Sequence, residues 1–439
     1  MKNLCFFFLI FSFSPIAVFP QESPDTQEFL AKKIDSLEQS IQSLAYTELI
    51  QSMSLRSILI PNYDPERKAL VARQAYNIWS GISGEKYVSH FNLYTALYEA
   101  NKYLKSENTN FFNQALGHSE SVVSIKFGMD PNVFYSAGSD GRVLKWNLNN
   151  INGIPEIVYE GKHLIRSIDL SDDGKFLMVV AREKGIFLVT LDKLNTESSS
   201  HFSDPVPVQT AIFVPGRQQY ISADTQGNLT VKGFKTDTTI IGKSKEKIIS
   251  IAVHPIEDRV FTGTEKGTLD IWDEIGRVNH RFDEPTAINA MAISHNHKIL
   301  AIGREKGDII LWDLENNQVL RVISGHHSAI TDVEFHPGDG LLLTTSRDRT
   351  ARIWDIENTK KLPLVFDDHN DWVMTAAFDP AGNHVITGSK DNFIRIWPIE
   401  LRTLADRLCD LLERNMSLEE WEDFVGSAIP FEETCPQTK

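Results

Sequence analysis

The chain has 439 residues, 41% of them hydrophobic and 23% charged, which is enough apolar material for two or three domains with sizeable cores. Its formal net charge of −15 removes the broad cationic surface that a phosphate backbone or an anionic lipid layer requires. Nucleic acid and anionic membrane surfaces are therefore excluded as expected partners.

At the N-terminus Lys2 precedes an almost unbroken apolar run from Leu4 to Phe13, followed by Ser14, Pro15 and a second apolar piece ending at Phe19. This is the shape of a secretory signal peptide. The run falls short of the ~20 residues that a membrane-spanning helix needs, and Pro15 interrupts it. We therefore expect residues 1–20 to be removed on export, leaving no integral membrane span. Ala17 and Phe19 make a poor small-x-small pair, so the cleavage point is not fixed, and Cys5 lies too early to carry a lipid. Removal leaves Cys409 and Cys435, an even number for an oxidising compartment. Two readings stay open for them: one disulfide, or two independent thiols on a helix and in a tail.

Residues 21–108 have helical texture. Leu30, Ile34, Leu37, Ile41 and Leu44 repeat at four-three-four-three spacing, which predicts an amphipathic helix with one buried face. Two heptads do not by themselves establish a coiled coil. After Pro61 and Pro65 a second stretch runs through Ala69, Leu70, Ala72, Ala75, Tyr76 and Trp79, with Gly81 and Gly84 ending it. A third runs from Asn92 through Leu93, Leu97 and Tyr98 to Leu104. Together they predict a small helical module packed beside the main domain.

From residue 109 to about 400 the texture changes to short alternating runs separated by turn residues, repeating every ~40 to 44 residues. Aligning the units on the glycine before each third strand places Trp146, Thr190, Lys232, Trp272, Trp312, Trp354 and Trp397 at one equivalent position. The segment Gly325 to Asp355, GHHSAITDVEFHPGDGLLLTTSRDRTARIWD, resembles a complete unit of the WD-repeat family. The resemblance covers about two thirds of the chain. It implies a mainly β fold, a seven-bladed WD-repeat β-propeller of four-stranded blades, with an N-terminal helical segment and a short C-terminal helical tail. The run NQALGH, from Asn113 to His118, matches RVISGH, from Arg321 to His326, while the seventh unit has no fourth strand after Trp397. Phe111 to Leu116 is thus expected to complete that blade and close the ring, which removes an open sheet edge.

The family's blades carry a hydrogen-bonded His, Ser or Thr, Asp and Trp. The resemblance assigns these to His118, Ser136, Asp140 and Trp146 in the first unit, His326, Thr344, Asp348 and Trp354 in the sixth, and His369, Thr387, Asp391 and Trp397 in the seventh. We read them as architecture rather than catalysis, because a buried indole N–H and imidazole need partners. The middle units depart, with Lys266 and Lys306 at the Asp position and Lys243 and Glu284 at the His position, and are expected to hold by packing alone. The second and third units also lose the Trp, to Thr190 and Lys232, which puts their strand boundaries in doubt although Gly185 and Gly227 keep the phase.

Gly242, Lys243 and Ser244 look like the end of a phosphate-binding loop. The glycine such a loop requires five residues earlier is Asp237, so we read a blade loop instead. His295 and His297 lack cysteine or further ligands at metal-binding spacing and read as surface residues. No catalytic, cofactor or metal residues are assigned. The positive signal is Trp372, flanked by Asn370 and Asp371, with Arg347 and Lys390 in equivalent turns of adjacent blades. An aromatic between charges has the chemistry of an interface anchor; the other reading is that Trp372 caps the first strand of its blade.

In residues 401–439, Leu401, Leu404, Ala405, Leu408, Leu411 and Leu412 form a helical stripe, and Ser417 with Glu420 predicts a capping box before Trp421 and Phe424. The tail should pack on the propeller. It is similar to the ending of large bacterial WD-repeat signalling proteins, through Arg414 and Asn415, Glu420 and Trp421, and Thr434 to Pro436. Those proteins commonly carry an ATP-binding or protease-like domain before the helical segment, and Met1 to Ser106 has no residues for one, so only the architecture is carried over. The expected function is a non-catalytic protein–protein interaction scaffold, exported to a bacterial periplasm or cell envelope, with other proteins as partners. The alternatives are a cofactor- or ligand-binding propeller enzyme and a cytosolic WD-repeat regulatory protein.

Overall fold

The computed structural model describes residues 24–82, 91–104, 113–191, 199–202, 206–234, 239–273, 276–282, 285–358 and 360–436. The apolar N-terminal run, Cys5, Gly84, Phe111, Asp237 and Glu284 lie outside them. Within the described residues the strands form seven four-stranded antiparallel sheets arranged as a propeller. Blade one runs from Val122 to Glu160, blade two from Ile165 to Phe202, and blade three from Val208 to Lys243. Blade four runs from Ile248 to Arg281, blade five from Ile288 to Ser324, and blade six from Ile330 to Phe366. In each the strands lie in chain order from the central channel outward. The second strands, such as Val133–Gly138 and Leu341–Ser346, are covered by neighbouring blades on both faces and so read as continuous apolar or small runs.

Blade seven takes three strands from Val373–Pro398 and its outer strand from Gln114–Leu116, which pairs antiparallel with Gln114 opposite Arg395 and Leu116 opposite Phe393. N- and C-terminal segments of the ring are thereby clasped in one sheet.

The turn before each third strand is left-handed, at Gly141 (φ 81°), Gly185 (92°), Gly227 (83°), Gly267 (84°) and Gly307 (91°). In blades six and seven the same position is Arg349 (φ 71°) and Asn392 (φ 74°), so the glycine used to align the units marks five blades and not seven. There the turn is supported by its aspartate: Asp348 accepts the Thr350 N–H at 3.0 Å and Asp391 the Phe393 N–H at 3.1 Å.

Blades two and three keep four strands without the tryptophan. Met178, Val180, Ile186, Val208, Phe213 and Tyr220 fill the space between them, and Phe234 packs edge-on to Phe176 and Phe213 at 4.9 and 5.8 Å between ring centres.

Helices α1 (Pro24–Leu59), α2 (Pro65–Ile82) and α3 (Phe91–Leu104) precede the ring, and α4 (Leu401–Leu411) and α5 (Leu418–Phe424) follow it. Pro65 begins α2 rather than breaking it, since the first helical position needs no N–H donor. Apolar residues of α2, α3 and α4 share one core with blades six and seven, in which Tyr98 stacks on Trp397 at 5.1 Å. Tyr98 and Lys102 also bind the Asp368 carboxylate at 3.0 and 2.7 Å.

The expectation of a buried face along the start of α1 is overturned: Ile34, Leu37, Ile41 and Leu44 are 54, 54, 65 and 63% exposed. The helix is 36 residues long, and its contact with the core begins around Ile50 and Met53.

In the tail, Cys409 and Cys435 are joined as a disulfide with Cα atoms 5.5 Å apart. The capping box between Ser417 and Glu420 is formed. Arg414, Asn415, Glu420, Trp421 and Thr434 of the tail pattern each have a contact. Arg414 donates to Glu420 at 2.7 Å and to Glu66 at 2.9 Å, Asn415 accepts the Cys435 N–H at 2.7 Å, and the Thr434 carbonyl accepts from Asn77 at 2.9 Å. The hydrogen bonds from Arg414 hold the Glu420 carboxyl down at about 2. No described helix is long and apolar enough to cross a membrane.

Candidate partner-binding face

Each innermost strand carries a β-bulge at the same place, between Val122 and Ser124 in blade one and between Val373 and Thr375 in blade seven, with equivalents in the other five. A bulge re-aims the extra residue. The extra residues are Val123, Arg166, Gln209, Ile249, Asn289, Thr331 and Met374, and all line one mouth of the channel, a cavity of about 570 Å³. Sequence reasoning missed this ring; its signal is the residue after the first apolar position of every unit, which the tryptophan alignment passes over.

The start of an innermost strand and the turn between the second and third strands lie at the same end of an antiparallel blade. Trp372 occupies the first position in blade seven, and Arg347 and Lys390 occupy the second in blades six and seven. The structure brings all three together: the Arg347 guanidinium lies 5.0 Å and the Lys390 ammonium 4.3 Å from the centre of the Trp372 ring. Both distances are within cation–π range. The Trp372 side chain is 38% exposed. Its carbonyl accepts from the Lys390 N–H at 2.8 Å and the Ser389 hydroxyl at 2.9 Å, so the backbone ties the strand end and leaves the ring on the surface. Arg347 is held by Glu305 at 3.0 Å, and Glu305 in turn by Asn289 of the bulge ring at 2.8 Å. Lys390 sits 3.7 Å from Asp371.

Beneath this face run the blade networks. In blade one the Trp146 indole donates to Ser136 Oγ at 2.7 Å, Ser136 meets His118 Nε2 at 2.7 Å, and His118 Nδ1 meets Asp140 at 3.1 Å. Blade six repeats it with Trp354 to Thr344 at 2.8 Å, Thr344 to His326 at 2.8 Å and His326 to Asp348 at 2.9 Å. Burial lowers the pKa of both imidazoles, although the aspartates pull the other way. In blade seven Trp397 and His369 meet Thr387 at 2.9 and 2.8 Å, but Asp391 is engaged by Arg395 at 2.8 Å and the Asn370 N–H at 2.9 Å. The final His-to-Asp link is replaced there by an arginine.

The expectation that the middle blades hold by packing alone is corrected. Blade four has a polar network of its own: the fully buried Asp270 accepts from Ser244 at 3.0 Å and Arg277 at 2.7 Å. Glu246 accepts from Thr264 at 2.6 Å and Thr268 at 2.9 Å, and Trp272 donates to Thr262 at 2.9 Å. In blade five a buried Arg304–Asp308 pair takes this place. Carboxylates moved to other positions, so the fixed His and Asp template did not find them. Ser244 belongs to this network, and a Cβ on Gly242 would lie 2.3 Å from the Trp272 ring, as one on Gly325 would lie 2.6 Å from Trp354. The expectation of a blade loop is corrected: Gly242 and Lys243 end the outer strand of blade three, opposite Leu229 and Asn228, and Ser244 follows it.

Inside the channel Lys126 faces Asp169, Asp332 and Glu334, whose charges outweigh its burial and raise its pKa. Burial pushes the Glu334 carboxyl up to about 7. These carboxylates also join blades: Asp169 accepts the Phe213 N–H at 2.8 Å and Glu334 the Phe378 N–H at 3.0 Å. His295 is exposed and meets Asp339 at 3.1 Å. Among the described residues no three His, Cys, Asp or Glu side chains group to hold a metal ion.

A family model for the WD domain, G-beta repeat, matches residues 110–147 and 360–398, and a model for the Vps8 beta-propeller matches residues 239–366. The chain is 23% identical over 242 residues to the serine-threonine kinase receptor-associated protein of Gallus gallus, covering 54% of this chain and 68% of that one. It is 28% identical over 145 residues to the nuclear distribution protein PAC1 of Komagataella phaffii, covering 29% of each. With the nuclear distribution protein nudF of Aspergillus niger the identity is 30% over 135 residues, or 29% of this chain and 30% of that one. The chain thus spans under a third of the length of these two fungal relatives. Seven blades closed by an N-terminal strand, together with the matched WD repeats and propeller model, support placing the chain in a WD-repeat propeller family.

Proposed function

We propose that this chain is a non-catalytic scaffold that binds other proteins through the propeller face centred on Trp372, and that it acts after export, in a bacterial periplasm or cell envelope. The observation that carries the binding role is the partly exposed Trp372 ring set between Arg347 and Lys390. A rigid aromatic held by two cations, one of them fixed by Glu305, is pre-organised to receive a partner's carboxylates and apolar side chains at small entropic cost. Export is supported by the apolar run from Leu4 to Phe13 and by the Cys409–Cys435 disulfide, a bond that persists in oxidising compartments. The tail's likeness to large bacterial WD-repeat proteins supports the bacterial setting.

The test of binding is crosslinking in native cells followed by co-purification. Replacing Trp372, Arg347 and Lys390 together with Ala should strip partners from the protein, and an unchanged partner set overturns the assignment. For location, fractionation with sequencing of the mature N-terminus should give an exported chain beginning near Gln21; an intact Met1 in the cytosol refutes export.

A further inference from the structure

We infer that the N-terminal half of α1 pairs with the same segment of a second copy of this chain as a short, parallel, two-stranded coiled coil. Leu30, Ile34, Leu37, Ile41 and Leu44 recur every 3.5 residues on average, the period of a helix–helix seam rather than of a helix lying on a globular core. Ile34, Leu37, Ile41 and Leu44 are all more than half exposed on the folded chain. The row from Ile34 to Leu44 extends over about 15 Å at 1.5 Å per residue, a contiguous apolar stripe rather than scattered surface leucines.

The stripe is separate from the helix's own packing. The next two seam positions are Glu48 and Gln51, both exposed, while Ile50 and Met53, on another face, are 3 and 0% exposed against the helical core. The apolar seam therefore stops where α1 reaches its own module. That anchoring supplies what two isolated heptads lack, because a helix already formed and held at its C-terminal end pays little to order on association.

The seam residues choose the occupant. Ile34 and Ile41 fall at one core position of the heptad and Leu30, Leu37 and Leu44 at the other, the distribution that favours two parallel strands. Lys33 and Glu38 then occupy the flanking positions that face each other across a parallel pair, so twofold symmetry makes two Lys33–Glu38 contacts. An antiparallel pair centred on Leu37 sets Lys33 opposite Ser40 and leaves the ion pair unmade.

The experiment is sedimentation equilibrium of the full chain over a wide concentration range. A monomer–dimer equilibrium is expected. Ile34→Lys/Ile41→Lys should raise the dissociation constant at least ~100-fold, since four buried isoleucines are lost per dimer, with the melting curve of the monomer unchanged because both positions are exposed there. Lys33→Glu should weaken the dimer about 2- to 10-fold, and adding Glu38→Lys should restore it. In Leu44→Cys, oxidation should link two chains through the introduced thiols, since an in-register parallel pair sets position 44 against itself whereas the antiparallel pair centred on Leu37 sets it against Leu30. A monomer at every concentration, a higher oligomer, a dimer indifferent to Ile34→Lys/Ile41→Lys, or a dimer that Leu44→Cys cannot crosslink overturns the proposal. So does a monomer that instead co-sediments with phosphatidylcholine vesicles, which would assign the stripe to lipid.

Discussion

The clasp side of the ring and its far side solve one packing problem with different chemistry. In blades six, seven and one a tryptophan is fixed by a hydroxyl that also binds a buried histidine, and helices α2, α3 and α4 add a further apolar layer on blades six and seven. In blades two and three aliphatic side chains and Phe234 fill the same space. The histidine-linked hydrogen bonds lie at and beside the closure, where segments distant in sequence meet; blade four carries a network without histidine, and blades two and three manage with less specific packing. The largest effect should come from Trp397→Ala, because this ring is 1% exposed and stacks between Phe366 at 4.7 Å and Tyr98 at 5.1 Å. We expect a loss of about 3–5 kcal/mol in urea denaturation. Phe234→Ala on the far side removes a partly buried ring and should cost less; the reverse order would break the comparison.

The disulfide belongs to the same clasp. Cys409 and Cys435 are 26 residues apart, and in the chain-entropy view their bond contributes about 3–4 kcal/mol. Replacing both with Ser should expose α5 and the helical core to limited proteolysis while the far blades stay resistant. Equal resistance of the tail with and without the bond would remove it from the clasp.

How far the sequence could be read follows the same division. The period, the closing strand, the His-containing networks of blades one and six, the His369–Thr387–Trp397 part of that of blade seven and the tail's capping box follow from residue types whose geometry is local or repeated, and they are legible, whereas the Arg395 substitute for the His369–Asp391 link is not. The middle blades are not: Asp270 and Asp308 replace the template carboxylate from other positions, and a search by spacing passes them by. The exposed start of α1 was misread because a 3.5-residue stripe states that a helix has a partner but not which chain supplies it. Of the candidate face, Trp372, Arg347 and Lys390 could be named from equivalent turns, whereas the bulge ring at the channel mouth required the strand register.

A single hydroxyl sharpens the contrast within the ring. Thr344→Val in blade six leaves the Trp354 N–H and His326 without their shared partner, which should cost about 1–3 kcal/mol. In blade five Ile302 stands at the equivalent position, and the Trp312 N–H has no hydrogen-bond partner among the described residues. Ile302→Thr therefore gives that N–H an acceptor while removing apolar volume, and should leave stability within about 1 kcal/mol of the native chain. A loss as large as that of Thr344→Val would mean that the hydroxyl is not what distinguishes the two blades.

The last contrast is visible only as a dependence on pH, and compares the channel carboxylates of blades six and two. Glu334 and Asp169 each accept an N–H from a residue 44 positions on, in the next blade, and burial raises both pKa values, Glu334 to about 7. An unfolded chain ionises Glu334 near 4.5, so between that pH and about 7 the folded state binds more protons. Its stabilising contribution is complete below the lower value and is lost as pH rises through the upper one. Glu334→Gln keeps the acceptor and removes the charge, so it should match the native chain near pH 4.5 and exceed it by about 3 kcal/mol above pH 7. Asp169→Asn should shift stability in the same direction with a smaller amplitude, because Lys126, at 4.0 Å, already compensates that carboxylate. Thermal melts of the three proteins across this range decide it: a native chain that gains on Glu334→Gln as pH rises would show that Glu334 is stabilised as a carboxylate, and that the channel on the clasp side is held by charge rather than by the shared N–H.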